Sequence, residues 1–107
     1  MKIVIASFIM ATGLMIAGSA TAVDMPPLAK KSGCTNCHSI DKKVVGPAWQ
    51  NVADKYKGDA GAADRLIAKV AKGGGGVWGP TPMPANSPRV SDADIKELVG
   101  FILGLAK

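Results

Sequence analysis

Apolar residues along this chain form one nearly unbroken block and then a series of short helical stripes. Ile3–Ala17 is apolar but for Ser7, Thr12 and Gly13; Lys2 precedes it and Ala20-Thr21-Ala22 follows. A basic start, an apolar run and an A-x-A exit are the layout of a secretory signal peptide over residues 1–22, cleaved before Val23. An uncleaved membrane anchor is the alternative, against which stands the small-residue tail Ala17-Gly18-Ser19-Ala20. No cysteine lies near the cut, so a lipid anchor there is excluded.

Beyond Val23 the pattern is helical, with no strand-like alternation longer than four residues. Asp24-Met25-Pro26-Pro27 predicts a capped short helix that Gly33 stops. A second helix is expected from near Pro47 through Trp49, Val52, Ala53 and Tyr56, ending at Gly58. A third is expected over 60–72, with Leu66, Ile67, Val70 and Ala71 on one side and Gly73 beyond its end. The last starts at Ser91, whose spacing to Asp94 is that of a capping box, and repeats Ile95, Leu98, Val99 and Ile102 on one face. Phe101 and Leu105 widen that face. Gly100 and Gly104 would either admit a close helix or mean nothing. Between the third and last helices, 73–90 holds five glycines and four prolines in 18 residues. Its prolines restrict the unfolded chain, and Trp78 and Met83 are costly to leave in water. The segment therefore reads as an ordered strap lying against something apolar.

Removing the leader changes the scale of the problem. Of 107 residues 85 remain, one small domain at residues 23–107 that needs a staple, metal or cofactor to complete its core. Its twelve Lys and Arg against eight Asp and Glu leave it basic. Few aromatics interleave with the basic residues, which argues against nucleic acid. Steering toward an acidic protein surface is the more natural use, with a merely solvated basic face as the alternative.

The chemistry lies in Cys34-Thr35-Asn36-Cys37-His38, a C-x-x-C-H sequence and the attachment signature of c-type haem. Two thiols three residues apart can each add to one vinyl group of a porphyrin, and the next residue then offers an imidazole to the iron. A Cys34–Cys37 disulfide, a dithiol redox site and a zinc site compete. The first closes too short a loop to stabilise much, the second lacks a βαβ frame and the third lacks ligands. With one His and two Cys in the chain, neither bis-histidine ligation within one molecule nor a second haem is possible. Met25 lies too close before Cys34 to reach the far side of a haem. Met83 in the strap can, making His38 and Met83 the candidate axial ligands. Core filling by Met83, or an open or lysine-ligated sixth position, are the alternatives.

With Val45-Gly46-Pro47, Gly76-Val77-Trp78-Gly79-Pro80 and Met83-Pro84-Ala85-Asn86 following that signature in order, the chain resembles bacterial class I cytochromes c of the c-551/c-552 group. The resemblance spans nearly all of 23–107. It implies an all-α fold of about four short helices around one covalently attached haem c, with the Gly/Pro-rich loop carrying the axial Met. It implies that the Pro47 carbonyl accepts from the His38 ring, that Trp78 reaches a haem propionate, and that Asn86 hydrogen-bonds near the Met83 sulfur. Gly33 and Phe101 would join the crossing of the first and last helices. Lys69 stands where many relatives place an Arg, Ala29 where some have a bulky aromatic, and Ser87-Pro88 reads as a two-residue insertion. The function implied is a monomeric, soluble periplasmic electron carrier, not an enzyme and not membrane-inserted after cleavage. It would serve respiratory or denitrification partners: a cytochrome-containing reductase, oxidase or peroxidase with an acidic docking surface. Val44, Val45, Ala48, Pro80 and Pro82 are expected around the exposed haem edge, ringed by Lys30, Lys42, Lys43 and Lys72. The rival functions are a haem gas binder or small peroxidase with an open sixth site, a haem-free dithiol oxidoreductase, and a detached subunit of a larger oxidoreductase.

Overall fold

The computed structural model describes residues 12–13 and 22–107. The predicted signal peptide, Thr12, Gly13 and Ala22 aside, lies outside the described residues. Among the described residues no helix is long and apolar enough to cross a membrane.

Among the described residues four α-helices form: α1 (Pro27–Lys31), α2 (Trp49–Lys55), α3 (Ala62–Lys72) and α4 (Asp92–Leu103), with a 3-10 turn at Cys34–Asn36 between the first two. Helix α4 packs against each of the other three. Asp24 does not cap α1. Pro26 is the N-cap and Pro27 the first helical residue; a proline there has its φ preset and no N–H to satisfy, so no side-chain cap is required. The helix closes at Ser32, and Gly33 turns the chain at φ 81° into the 3-10 turn.

Helix α2 starts two residues later than Pro47, because Ala48 is extended at φ −59°, ψ 137°. The first N–H groups of α2 find partners outside the helix: Trp49 donates to Ser39 at 2.9 Å and Gln50 to Ile40 at 2.9 Å. Helix α3 likewise starts at Ala62 rather than residue 60 and runs to Lys72 as expected. Ser91 caps α4 by accepting from the Asp94 N–H at 3.2 Å. A methyl group at Gly100 would meet nothing within 4 Å, so no second helix approaches there.

Apart from Ala48, Ala53 and Ala62, the buried apolar side chains fall into two groups. One gathers Ala29, Trp49, Val52, Leu98 and Ile102, with Met25 and Phe101 packed at its margin. The other gathers Val90, Ile95 and Val99 with the apolar side of α3. Leu66 touches both. Ala29, fully buried, lets α1 sit close to α4, so a small residue completes this contact in place of the bulky aromatic some relatives have. The end of the chain is drawn onto α2: Gln50 Nε2 donates to the Leu105 carbonyl at 2.6 Å, and the Lys107 N–H to Asp54 Oδ1 at 3.1 Å.

Candidate haem-binding site

The 3-10 turn folds Cys34 to Cys37 into a tight loop. Cys37 and His38 both donate their backbone N–H to the Cys34 carbonyl, at 3.1 and 2.9 Å. The chain then doubles back, and Val45 and Gly46 donate to the Cys37 carbonyl at 3.2 and 2.8 Å. That return brings Gly46 against the His38 ring. A Cβ on Gly46 would lie 2.5 Å from His38 Cε1, closer than carbon atoms approach, so only glycine fits. One residue on, the Pro47 carbonyl accepts from His38 Nδ1 at 2.8 Å. A carbonyl can only accept, so Nδ1 carries the proton and Nε2 keeps its lone pair for a metal.

Cys34 and Cys37 are not joined to each other by a disulfide. Burial pushes the Cys34 thiol up from its ordinary value; its own backbone hydrogen bond and the charge of Arg89 act against the rise, and Cys37 adds to it. A dithiol redox centre works through a thiol shifted the other way.

The strap enters at Gly73, φ 74°, where a Cβ would sit 2.5 Å from the Met83 carbonyl oxygen and 2.7 Å from the Ala85 nitrogen. Gly74 and Met83 exchange backbone hydrogen bonds at 2.9 and 3.0 Å, pinning Met83 opposite the end of α3. At the exit, the Asn86 and Ser87 N–H groups donate to Val70 and Ala71 carbonyls of α3. The strap's glycines and prolines thus serve a fixed path.

Between these parts opens an apolar cleft, lined by Cys37, His38, Trp49, Leu66, Val70, Trp78, Met83 and Ile102 among others. A second recess, which shares Cys37, His38 and Met83 with it, reaches Cys34, Gly33 and Asn86. His38 and Met83 line both. The fit to a covalently held haem rests on this chemistry: two thiols at the rim, an imidazole with its Nε2 free, a thioether on the strap and an otherwise apolar lining. Met25 packs instead at the margin of the core, as its place before Cys34 implied.

Trp78 lines the mouth of the cleft, 41% exposed, with Lys55 Nζ 5.8 Å from its ring centroid. Lys69 lines it too and donates to the Gly75 carbonyl at 3.2 Å. Asn86 Nδ2 donates to the Val70 and Pro84 carbonyls, at 3.0 and 3.3 Å, and fastens the strap to α3 beside Met83. One expectation changes. Ala48, expected at the exposed edge, is only 1% exposed because it lies under the start of α2. Gly46, Lys55 and Arg89 had gone unnoticed in the sequence as site residues. Gly46 had a signal, a glycine beside the proline implied to hold the imidazole; the other two had none.

Comparison with known proteins agrees with this geometry. The family model described as Cytochrome c matches residues 26–106. The chain is 57% identical over 94 residues to cytochrome c-551 of Allochromatium vinosum, covering 88% of this chain and 97% of the relative. It is 45% identical to cytochrome c-551 of Pseudomonas aeruginosa, with 89% of each chain covered. The crystal structure of Nitrosomonas europaea cytochrome c552 superposes with a TM-score of 0.69 at 50% identity, covering 73% of this chain and 95% of that one.

Proposed function

The chain belongs to the cytochrome c family, and from that premise we propose a carrier whose haem iron is ligated by His38 and Met83 and which works in the periplasm. It is a monohaem electron-transfer cytochrome, with one covalently attached haem c and no substrate chemistry. The haem supplies a one-electron iron centre and the apolar mass that fills the cleft.

The protein's own residues do the rest. Cys34 and Cys37 hold the group by thioether bonds, and Pro47 keeps the His38 ring in one tautomer and one orientation. Met83 would bind from the strap, where its thioether would favour the ferrous state. Trp78 and Lys69 stand at the mouth as donors for the propionates; an ammonium serves there as a point charge and cannot make a guanidinium's planar fork. One electron enters from a reduced partner and leaves to an oxidised one. Holding both ligands fixed keeps the rearrangement between the two states small. Val44, Val45 and Val77, each more than half exposed, give the edge a greasy contact, and Lys42 and Lys43 add charge beside it. The partner this suits is a redox protein with an acidic surface, such as a cytochrome-containing reductase, oxidase or peroxidase of a respiratory or denitrification chain. The leader of residues 1–22 delivers the chain across the membrane, where it acts as a soluble monomer.

The observation that carries the reading is that His38, with Nε2 free, and Met83 line one cleft beside both cysteines. The test is a pair of visible spectra, oxidised and reduced, of protein made with the c-type maturation machinery. A ferric sulfur–iron charge-transfer band that Met83→Ala abolishes is the expected result. A high-spin spectrum that shifts on adding carbon monoxide would overturn the ligation and put a gas-binding role ahead.

A further inference from the structure

We propose that Arg89 is a positioning residue for Met83: its guanidinium ties the exit of the strap to the turn that leads into Cys34, and so holds the two sides of the haem cleft together. The inference rests on the His38/Met83 ligation above. The strap's other anchors all lie on one side. Gly74 pairs with Met83 within the strap, while Asn86 and Ser87 bond to α3. Among the described residues, one hydrogen bond crosses from the strap to the segment that carries Cys34, from Arg89 Nη1 to the Ser32 carbonyl at 3.0 Å.

The acceptor suits the task. Ser32 is buried and ends α1, where its carbonyl has no partner within the helix and carries partial negative charge. The second arm of the guanidinium, Nη2, donates to Asn86 Oδ1 at 2.8 Å, and Asn86 Nδ2 goes on to the Val70 carbonyl at 3.0 Å. The relay runs from α1 through Arg89 and Asn86 to α3, across the recess that holds Cys34 and Met83. It needs an arginine. A planar fork meets two acceptors in fixed directions at once, whereas a lysine ammonium on a flexible stem meets one well. Only Pro84 and Ala85 separate Asn86 from Met83, so a fixed Asn86 limits how far Met83 can swing.

Arg89 is exposed and outside both apolar groups, so its replacement leaves the core intact. The test uses haem-loaded ferric protein as wild type, Arg89→Gln, Arg89→Lys and Met83→Ala, with imidazole as a probe that binds iron only when Met83 is off it. Arg89→Gln is expected to raise the apparent imidazole affinity about tenfold, equivalent to about 1.4 kcal/mol in Met83 dissociation. Arg89→Lys, keeping the charge and one contact, falls between. An Arg89→Gln protein with lowered resistance to guanidinium and unchanged imidazole affinity would overturn the proposal, since a merely structural contact behaves so. If wild type lacks the sulfur–iron band and binds imidazole as readily as Met83→Ala, the ligation itself is wrong and this inference goes with it.

Discussion

Replacing Gly46 by alanine should damage the site through a single atom. The new Cβ would fall 2.5 Å from His38 Cε1 and 3.0 Å from both ring nitrogens, so the imidazole must move or the 45–47 turn must. Backbone strain plays no part, because Gly46 is not among the glycines with positive φ. Either movement opens the 2.8 Å bond from His38 Nδ1 to the Pro47 carbonyl. Losing that bond costs about 1 kcal/mol, and crowding a packed position costs roughly 1–3 kcal/mol more, together about 2–4 kcal/mol. Gly61→Ala is the matched control. Its Cβ would meet Arg65 Nη1 at 2.8 Å, but that is the mobile end of an exposed side chain and can step aside. Guanidinium unfolding of the two haem-loaded variants, followed by far-UV circular dichroism, measures the costs. Proton NMR of the axial histidine reports the ring. Equal stabilities for the two variants, with the His38 resonances unmoved in Gly46→Ala, would refute the argument that the ring is held by contact with the turn.

Three other expectations are simpler to state. Gly100→Ala should stabilise the protein by about 1 kcal/mol, since the site is helical and open, and calorimetry would show a raised Tm. The Arg65 guanidinium beside Asp59 holds that carboxyl below its ordinary 3.8, so the pair's small contribution is present above that pH and fades as pH falls through the depressed value; an NMR titration of Arg65→Gln should return Asp59 upward. Lys42→Gln with Lys43→Gln should flatten the ionic-strength dependence of electron transfer to an acidic partner in stopped-flow traces, and unchanged slopes would remove that face from docking.

Helices were legible where their signals are local. The α4 stripe and its Ser91 cap, and the Gly73 stop of α3, depend on neighbours within a turn or two. The start of α2 was not, because the carbonyls that satisfy its first N–H groups belong to Ser39 and Ile40, supplied by a loop rather than by a capping side chain. At the site, the C-x-x-C-H sequence and the counts of His and Met singled out Cys34, Cys37, His38 and Met83, and the structure brings them around one cleft. Side-chain destinations were harder to read. Asn86 has four hydrogen-bonding directions and several acceptors in reach, and only the packed strap decides that Val70 receives its amide. Arg89 reaches a carbonyl 57 positions away, a separation that no periodicity announces.

The division of the buried side chains into two groups bears on how the molecule is made. Both draw on α4, which gives Leu98 and Ile102 to one and Ile95 and Val99 to the other, and Ile102 and Val99 both line the cleft. A haem seated there would add apolar contact to both groups at once, which a core of this size needs. The cofactor would then be a structural part of the fold as well as its redox centre.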